Sequence, residues 1–135
     1  MNKKENVASI LQSMGYKPQY DDDGDIHILY QMKHVFFLLD NEEGDNYLSV
    51  ILPQFIDIKE GEESLALAIC NKMTRELKLV KIYVNKTFKS VSGTCEFFYA
   101  NDEALGYSIK KSLRMIGLMR SQYYKYQKDL KDETL

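Results

Sequence analysis

Asp21-Asp22-Asp23-Gly24-Asp25, running straight into Ile26-His27-Ile28-Leu29-Tyr30-Gln31 and His34-Val35-Phe36-Phe37-Leu38-Leu39, decides the fold. An acidic turn opens onto two short apolar runs joined only by Met32-Lys33, which leaves no room for a helix between them. Two strands so connected must pair antiparallel, because a parallel pair needs a crossover of a dozen or so residues. Met32-Lys33 lacks the Asn-Gly or Asp-Gly that marks a two-residue hairpin loop most strongly. The second run is apolar at every other residue on both faces, so one face is expected to meet helices and the other to be covered as well.

Outward from that hairpin the pattern is regular. Val7, Ala8, Ile10, Leu11 and Met14 recur at helical spacing and Gly15 stands where the helix should stop, giving a helix over about 3–14. Pro18 keeps the chain extended before the acidic turn. Asn41 to Asn46 reads as a turn and Tyr47–Leu52 as the third strand, ended or bulged at Pro53, whose nitrogen has no proton to donate. Glu60 to Ser64 places negative charge at a helix start, and Leu65, Ile69, Met73 and Leu77 form its apolar stripe. Lys78–Asn85 and the run through Val91, Cys95, Phe97 and Tyr99 alternate as strands, with Gly93 marking a bulge or a close backbone approach. Asn101-Asp102-Glu103 caps a last helix over roughly 102–129, striped by Leu105, Ile109, Leu113, Ile116 and Met119. The expectation is a single α+β domain over 1–135, ordered α-β-β-β-α-β-β-α, with a five-stranded antiparallel sheet packed by helices.

Composition bounds the function. The chain has 135 residues, 44% hydrophobic and 28% charged, and no apolar run near the roughly 20 residues a membrane helix needs. The basic start, Met1 to Asn6, leads into an amphipathic segment rather than a cleavage site, so no secretory signal is expected and the location reads as cytoplasmic. Cys70 and Cys95 sit among apolar neighbours and suit buried free thiols in a reducing compartment. Net charge is −2, but residues 1–64 carry 13 acidic and 5 basic side chains, net −8, and residues 65–135 carry 7 and 13, net +6. The halves are expected to attract each other within the domain or between subunits.

Motifs for chemistry are sparse. Asp21, Asp23 and Asp25 match the first ligands of a calcium loop, but Ile26 and Met32 occupy the places of its glycine and closing glutamate. A turn with Gly24 at positive φ explains the same residues. His27 and His34 lack a third ligand at recognisable spacing. Neither cysteine has cationic neighbours, and Ser64 and Ser90 have no nucleophile-elbow frame. No enzyme activity, cofactor or metal is expected. Lys110, Lys111, Arg114 and Arg120 interleave with Tyr107, Tyr123, Tyr124 and Tyr126 on the last helix. That pattern suits a sheet-covering helix or a protein interface first, and a nucleic-acid grip second.

Gly15-Tyr16, Asp23-Gly24-Asp25-Ile26, the hairpin, Asp40 to Leu48 and Lys81-Ile82-Tyr83-Val84 together resemble YbjN-like bacterial proteins, which share the fold of type III secretion chaperones. The resemblance implies a small α+β domain, commonly dimeric, related to chaperones that hold extended client segments, and it brings no catalytic residues. The expected function is therefore non-enzymatic protein binding, chaperone-like or regulatory, to a partner or to a second copy in a homodimer. Phe36 and Leu38 are the candidate binding residues, provided their own helices do not seal that face, followed by Tyr123, Tyr124 and Tyr126. The alternative is a nucleic-acid-associated regulator using the basic C-terminal half.

Overall fold

The computed structural model describes residues 2–39 and 46–133. Its first helix, α1 (Lys3–Ser13), starts where the Asn2 side chain accepts a hydrogen bond from the Glu5 N–H at 2.8 Å. It ends at Gly15, whose φ of +92° is the left-handed turn that glycine adopts without strain. Val7, Ala8 and Leu11 form its buried face.

The strands are β1 (Gln19–Tyr20), β2 (Ile26–Tyr30), β3 (Lys33–Leu38), β4 (Tyr47–Asp57), β5 (Val80–Val84) and β6 (Ser90–Phe98). They form one sheet in the order β1-β2-β3-β4-β6-β5, and every neighbouring pair is antiparallel. The sheet thus has six strands, not five. The extra strand is the two-residue β1, too short to show any alternation; only Pro18, holding the chain extended, hinted at it.

The acidic segment between β1 and β2 is a turn. Asp21 Oδ1 accepts from the Asp25 N–H at 2.9 Å and the Asp23 N–H at 3.1 Å, and Gly24 takes φ +85°. Asp25 itself is buried and accepts from the Leu39 N–H at 2.7 Å, tying the turn to the end of β3. The β2–β3 hairpin closes through Gln31 and Met32, at φ 50° and 66°, the left-handed pair that a two-residue loop requires. The expected turn over Asn41 to Asn46 lies, except for Asn46, outside the described residues.

β4 runs five residues beyond the expected end at Leu52, with a register shift between Leu52 and Ile56 that absorbs Pro53. Gln54 takes φ 47° there, and its N–H donates to Ser92 Oγ at 2.8 Å. The second helix, α2 (Glu63–Glu76), buries Ala66, Ile69, Cys70 and Met73; Leu77 falls just past its end. The third, α3 (Asp102–Glu133), has 32 residues and is about 48 Å long, four residues longer than expected. Asn101 caps it by accepting from the Ala104 N–H at 2.8 Å.

One core cluster joins helices to sheet, and its strand residues come from one face: Ile26, Ile28, Val35, Phe37, Leu48, Val50, Ile82, Val91 and Cys95 are all in it. α3 crosses this face so closely that a Cβ on Gly93 would stand 2.5 Å from Met119 Sδ and 2.9 Å from Ile82 Cδ1. The sequence expectation of a close backbone approach at Gly93 is met, while the bulge sits on the facing strand β4. No helix among the described residues is long and apolar enough to cross a membrane.

Candidate functional site: the helix-free face of the sheet

Alternation along the strands sends every second side chain away from the helices. The register aligns these residues in rows. His27 lies opposite Phe36, Phe36 opposite Ile51, Ile51 opposite Thr94, and Thr94 opposite Lys81. A neighbouring row runs Leu38, Ser49, Glu96, and a third pairs Tyr47 with Phe98. None of these side chains belongs to the buried apolar cluster under the helices. The expected cover on the second face of β3 is therefore missing among the described residues, because α1, α2 and α3 all pack on the other side.

Two halves of this face differ. On β5 and β6 it is polar and internally satisfied. Lys81 Nζ lies 3.0 Å from Glu96 Oε1, and the Tyr47 hydroxyl donates to Glu96 Oε2 at 2.8 Å. Burial would raise the Glu96 carboxyl, but the hydrogen bonds from Lys81 and Tyr47 outweigh it and hold the group below the usual glutamate value. Asn85 Nδ2 donates to Ser90 Oγ at 2.6 Å and to Ser92 Oγ at 3.0 Å, anchoring the strand next to the β4 bulge.

On β2, β3 and β4 the face is apolar and aromatic. The His27 ring lies 5.2 Å from Phe36 and 5.5 Å from His34, and Tyr47 lies tilted, 5.1 Å from Phe98 at the far end of β6. Leu29 is 61% and Phe98 80% exposed, while Phe36, Leu38 and Ile51 are half-buried by one another. His27 Nδ1 is buried without a hydrogen-bond partner. The two imidazoles are neighbours across the hairpin, as its geometry allows. Among the described residues, however, no three His, Cys, Asp or Glu side chains gather to hold a metal.

Phe36 and Leu38 thus share one surface. The tyrosines of α3 do not line it, although Phe55 and Arg120, the neighbours of Tyr123 and Tyr124, share a pocket with Phe36. Tyr123, expected at the surface, is 3% exposed and packs edge-on against Phe55, pointing inward. Tyr124 is exposed beside the Arg120 guanidinium at 5.9 Å, and Tyr126 lies beneath Lys72 Nζ at 5.4 Å, a seam between α3 and α2. Sequence reasoning did not single out Leu29, Ile51, Tyr47 and Phe98. Their alternation was visible, but their place beside Phe36 depends on strand order and register.

No family model and no curated protein matches the chain. Among solved structures it is similar to YbjN from E. coli, described as a candidate transcription regulator, with 10% identity and a TM-score of 0.59 over 97% of this chain and 93% of that one. It is also similar to an uncharacterized protein from Methanothermobacter thermautotrophicus, with 10% identity and a TM-score of 0.52 over 91% of this chain and 98% of that one. At such identity the likeness is one of fold, and the fold is YbjN-like.

Proposed function

We propose that this chain is a non-enzymatic, cytoplasmic protein-binding domain, chaperone-like or regulatory, that docks through the helix-free face and pairs there with a second copy of itself. The observation that carries the reading is the placement of all three helices on one side of the sheet. That leaves the row His27, Phe36, Ile51 and its neighbour Leu38 without cover. Removing such side chains from water stabilises a complex by about 25 cal/mol per Å² of apolar surface. A second copy is the occupant because the row is uncharged and the adjacent Lys81 and Glu96 neutralise each other. A two-fold axis can lay the patch on itself without opposing like charges.

The side chains that could do covalent chemistry favour binding over catalysis. Cys70 and Cys95 are buried, and burial pushes each thiol up to about 12, far from a usable thiolate. The histidines pack on aromatic rings rather than beside a nucleophile.

Size-exclusion chromatography with light scattering tests the reading. The expected result is a dimer, with Phe36→Asp and Leu38→Asp each raising its dissociation constant by ~30-fold or more, the loss of a hot-spot contact. Circular dichroism should stay unchanged, because neither residue is in the core. A wild-type monomer at every concentration would sink the proposal.

A second reading, a nucleic-acid-associated regulator, draws on the description of the E. coli neighbour and on the cations of α3. Its test is a salt titration: binding to duplex DNA should weaken steeply with ionic strength.

A further inference from the structure

On the helix side of the sheet, well away from Phe36, the end of α1, the end of β2 and the first half of α3 enclose a groove of about 460 Å³. Met14 and Leu113 give it apolar surface, and its other walls are of two kinds. Tyr16, Tyr30 and Tyr107 supply three phenol rings, with Tyr16 and Tyr30 edge-to-face at 5.8 Å. Lys110, Lys111 and Arg114 supply three cations, and no carboxylate lines the groove.

The cations have no ion-pair partner among the described residues; the salt bridges there involve Arg75, Lys81 and Lys131 instead. Lys111 Nζ lies 5.3 Å over the Tyr107 ring, at the border between the charged and aromatic walls. Lys110 and Arg114 stand one turn apart on the same helix, a like-charge spacing that costs a few tenths of a kcal/mol in isolation. Three cations without a carboxylate partner among the described residues, beside three rings, make a surface suited to an anion that carries a flat body. The volume lies within the range of small-ligand sites, roughly 300–1,000 Å³.

Tyr30 fixes the floor. It points to the helix side because its neighbours Ile26 and Ile28 do, and its hydroxyl reaches α3 at Gly117, where a Cβ would stand 3.2 Å away. Glycine inside a helix is unfavourable by about 1 kcal/mol relative to alanine. Here it lets the hairpin end seat against the helix and brings Tyr30 alongside Lys110 and Arg114.

We propose that this groove binds a mononucleotide: the phosphate taken by Lys110, Lys111 and Arg114, the base set against Tyr16, Tyr30 and Tyr107. Arginine can grip two phosphate oxygens at once, and the lysines add point charges around them. Base-on-tyrosine stacking tolerates any base, so the groove selects nucleotides as a class. The inference does not rest on the docking face, which lies across the sheet.

Isothermal titration of the full chain at low salt, with AMP, adenosine and inorganic phosphate as separate probes, tests it. AMP should bind saturably at one site per chain, and each fragment should bind at least ~10-fold more weakly, since each engages one wall only. Lys110→Gln with Arg114→Gln should weaken AMP by ~10-fold or more at unchanged thermal stability, both side chains being exposed. Tyr107→Ala, at a position 65% exposed, should weaken AMP but not phosphate. Phe36→Asp should bind AMP as the wild type does. No saturable AMP binding, phosphate binding as tightly as AMP, or AMP binding unaffected by the double variant would each overturn the proposal. So would an oligonucleotide that binds where AMP does not, which points to a strand-binding surface instead.

Discussion

At Gly93 the absence of a side chain sets the distance between sheet and helix. An added Cβ meets the Met119 sulfur and the Ile82 methyl well inside contact distance, and both neighbours are buried. Gly93→Ala should therefore cost about 1–3 kcal/mol through overpacking, read as a lower urea midpoint at unchanged slope. A neutral result would mean that Met119 has room to turn away. Glu96 makes a second prediction at this scale. Its folded carboxyl sits below the ordinary glutamate value, so it contributes stability above the unfolded value, and that contribution disappears as pH falls through the folded one. Wild type should be more stable than Glu96→Gln at about pH 7, and the gap should close by about pH 3. A gap that persists into acid would assign the effect to packing rather than to charge.

Among the elements, β5 is an edge strand, and α2 closes it with one side chain. Thr74 Oγ1 accepts from the Ile82 N–H at 2.9 Å and donates to the Ile82 carbonyl at 3.2 Å, occupying backbone groups that would otherwise invite another strand. Thr74→Val keeps the shape and removes both bonds. It should cost about 1–2 kcal/mol in chemical denaturation and speed hydrogen exchange at the Ile82 amide. Unchanged exchange would show that the threonine is incidental. Elements of this kind were only partly legible in the sequence. The helical stripes of α1, α2 and α3 and the alternation of β5 and β6 were visible because burial on one side imposes a period. The two-residue β1 was not, since two residues carry no period. The continuation of β4 through Pro53 was half-visible: a proline marks an interruption, but not whether pairing resumes beyond it.

For the molecule as a whole, the two faces of the sheet differ: one is packed by the helices and the other carries none of the core cluster. Antiparallel pairing followed from the Ile26–Leu39 hairpin, and the α+β class followed from the order of elements. Which face the helices choose did not, because each connection can place its helix on either side and only the sum of packing decides. The nucleotide groove was further out of reach: Tyr16, Tyr30 and Tyr107 come from the segment after α1, from β2 and from α3, and their meeting depends on Gly117 admitting the end of β2 to α3. Among the described residues the charge split between the halves shows as a contact from Lys131 to Glu62 at 3.5 Å, a partly exposed pair worth little in stability.

The alternation from Val35 to Leu38 has an evolutionary corollary. Val35 and Phe37 are locked by their neighbours, so change there is punished by unfolding whatever the protein does. Phe36 and Leu38 pack only against half-buried neighbours on the open face, which leaves their codons freer to drift while the scaffold is inherited intact. Such a scaffold is retained while its sequence diverges, which accords with a solved neighbour that shares the fold at 10% identity.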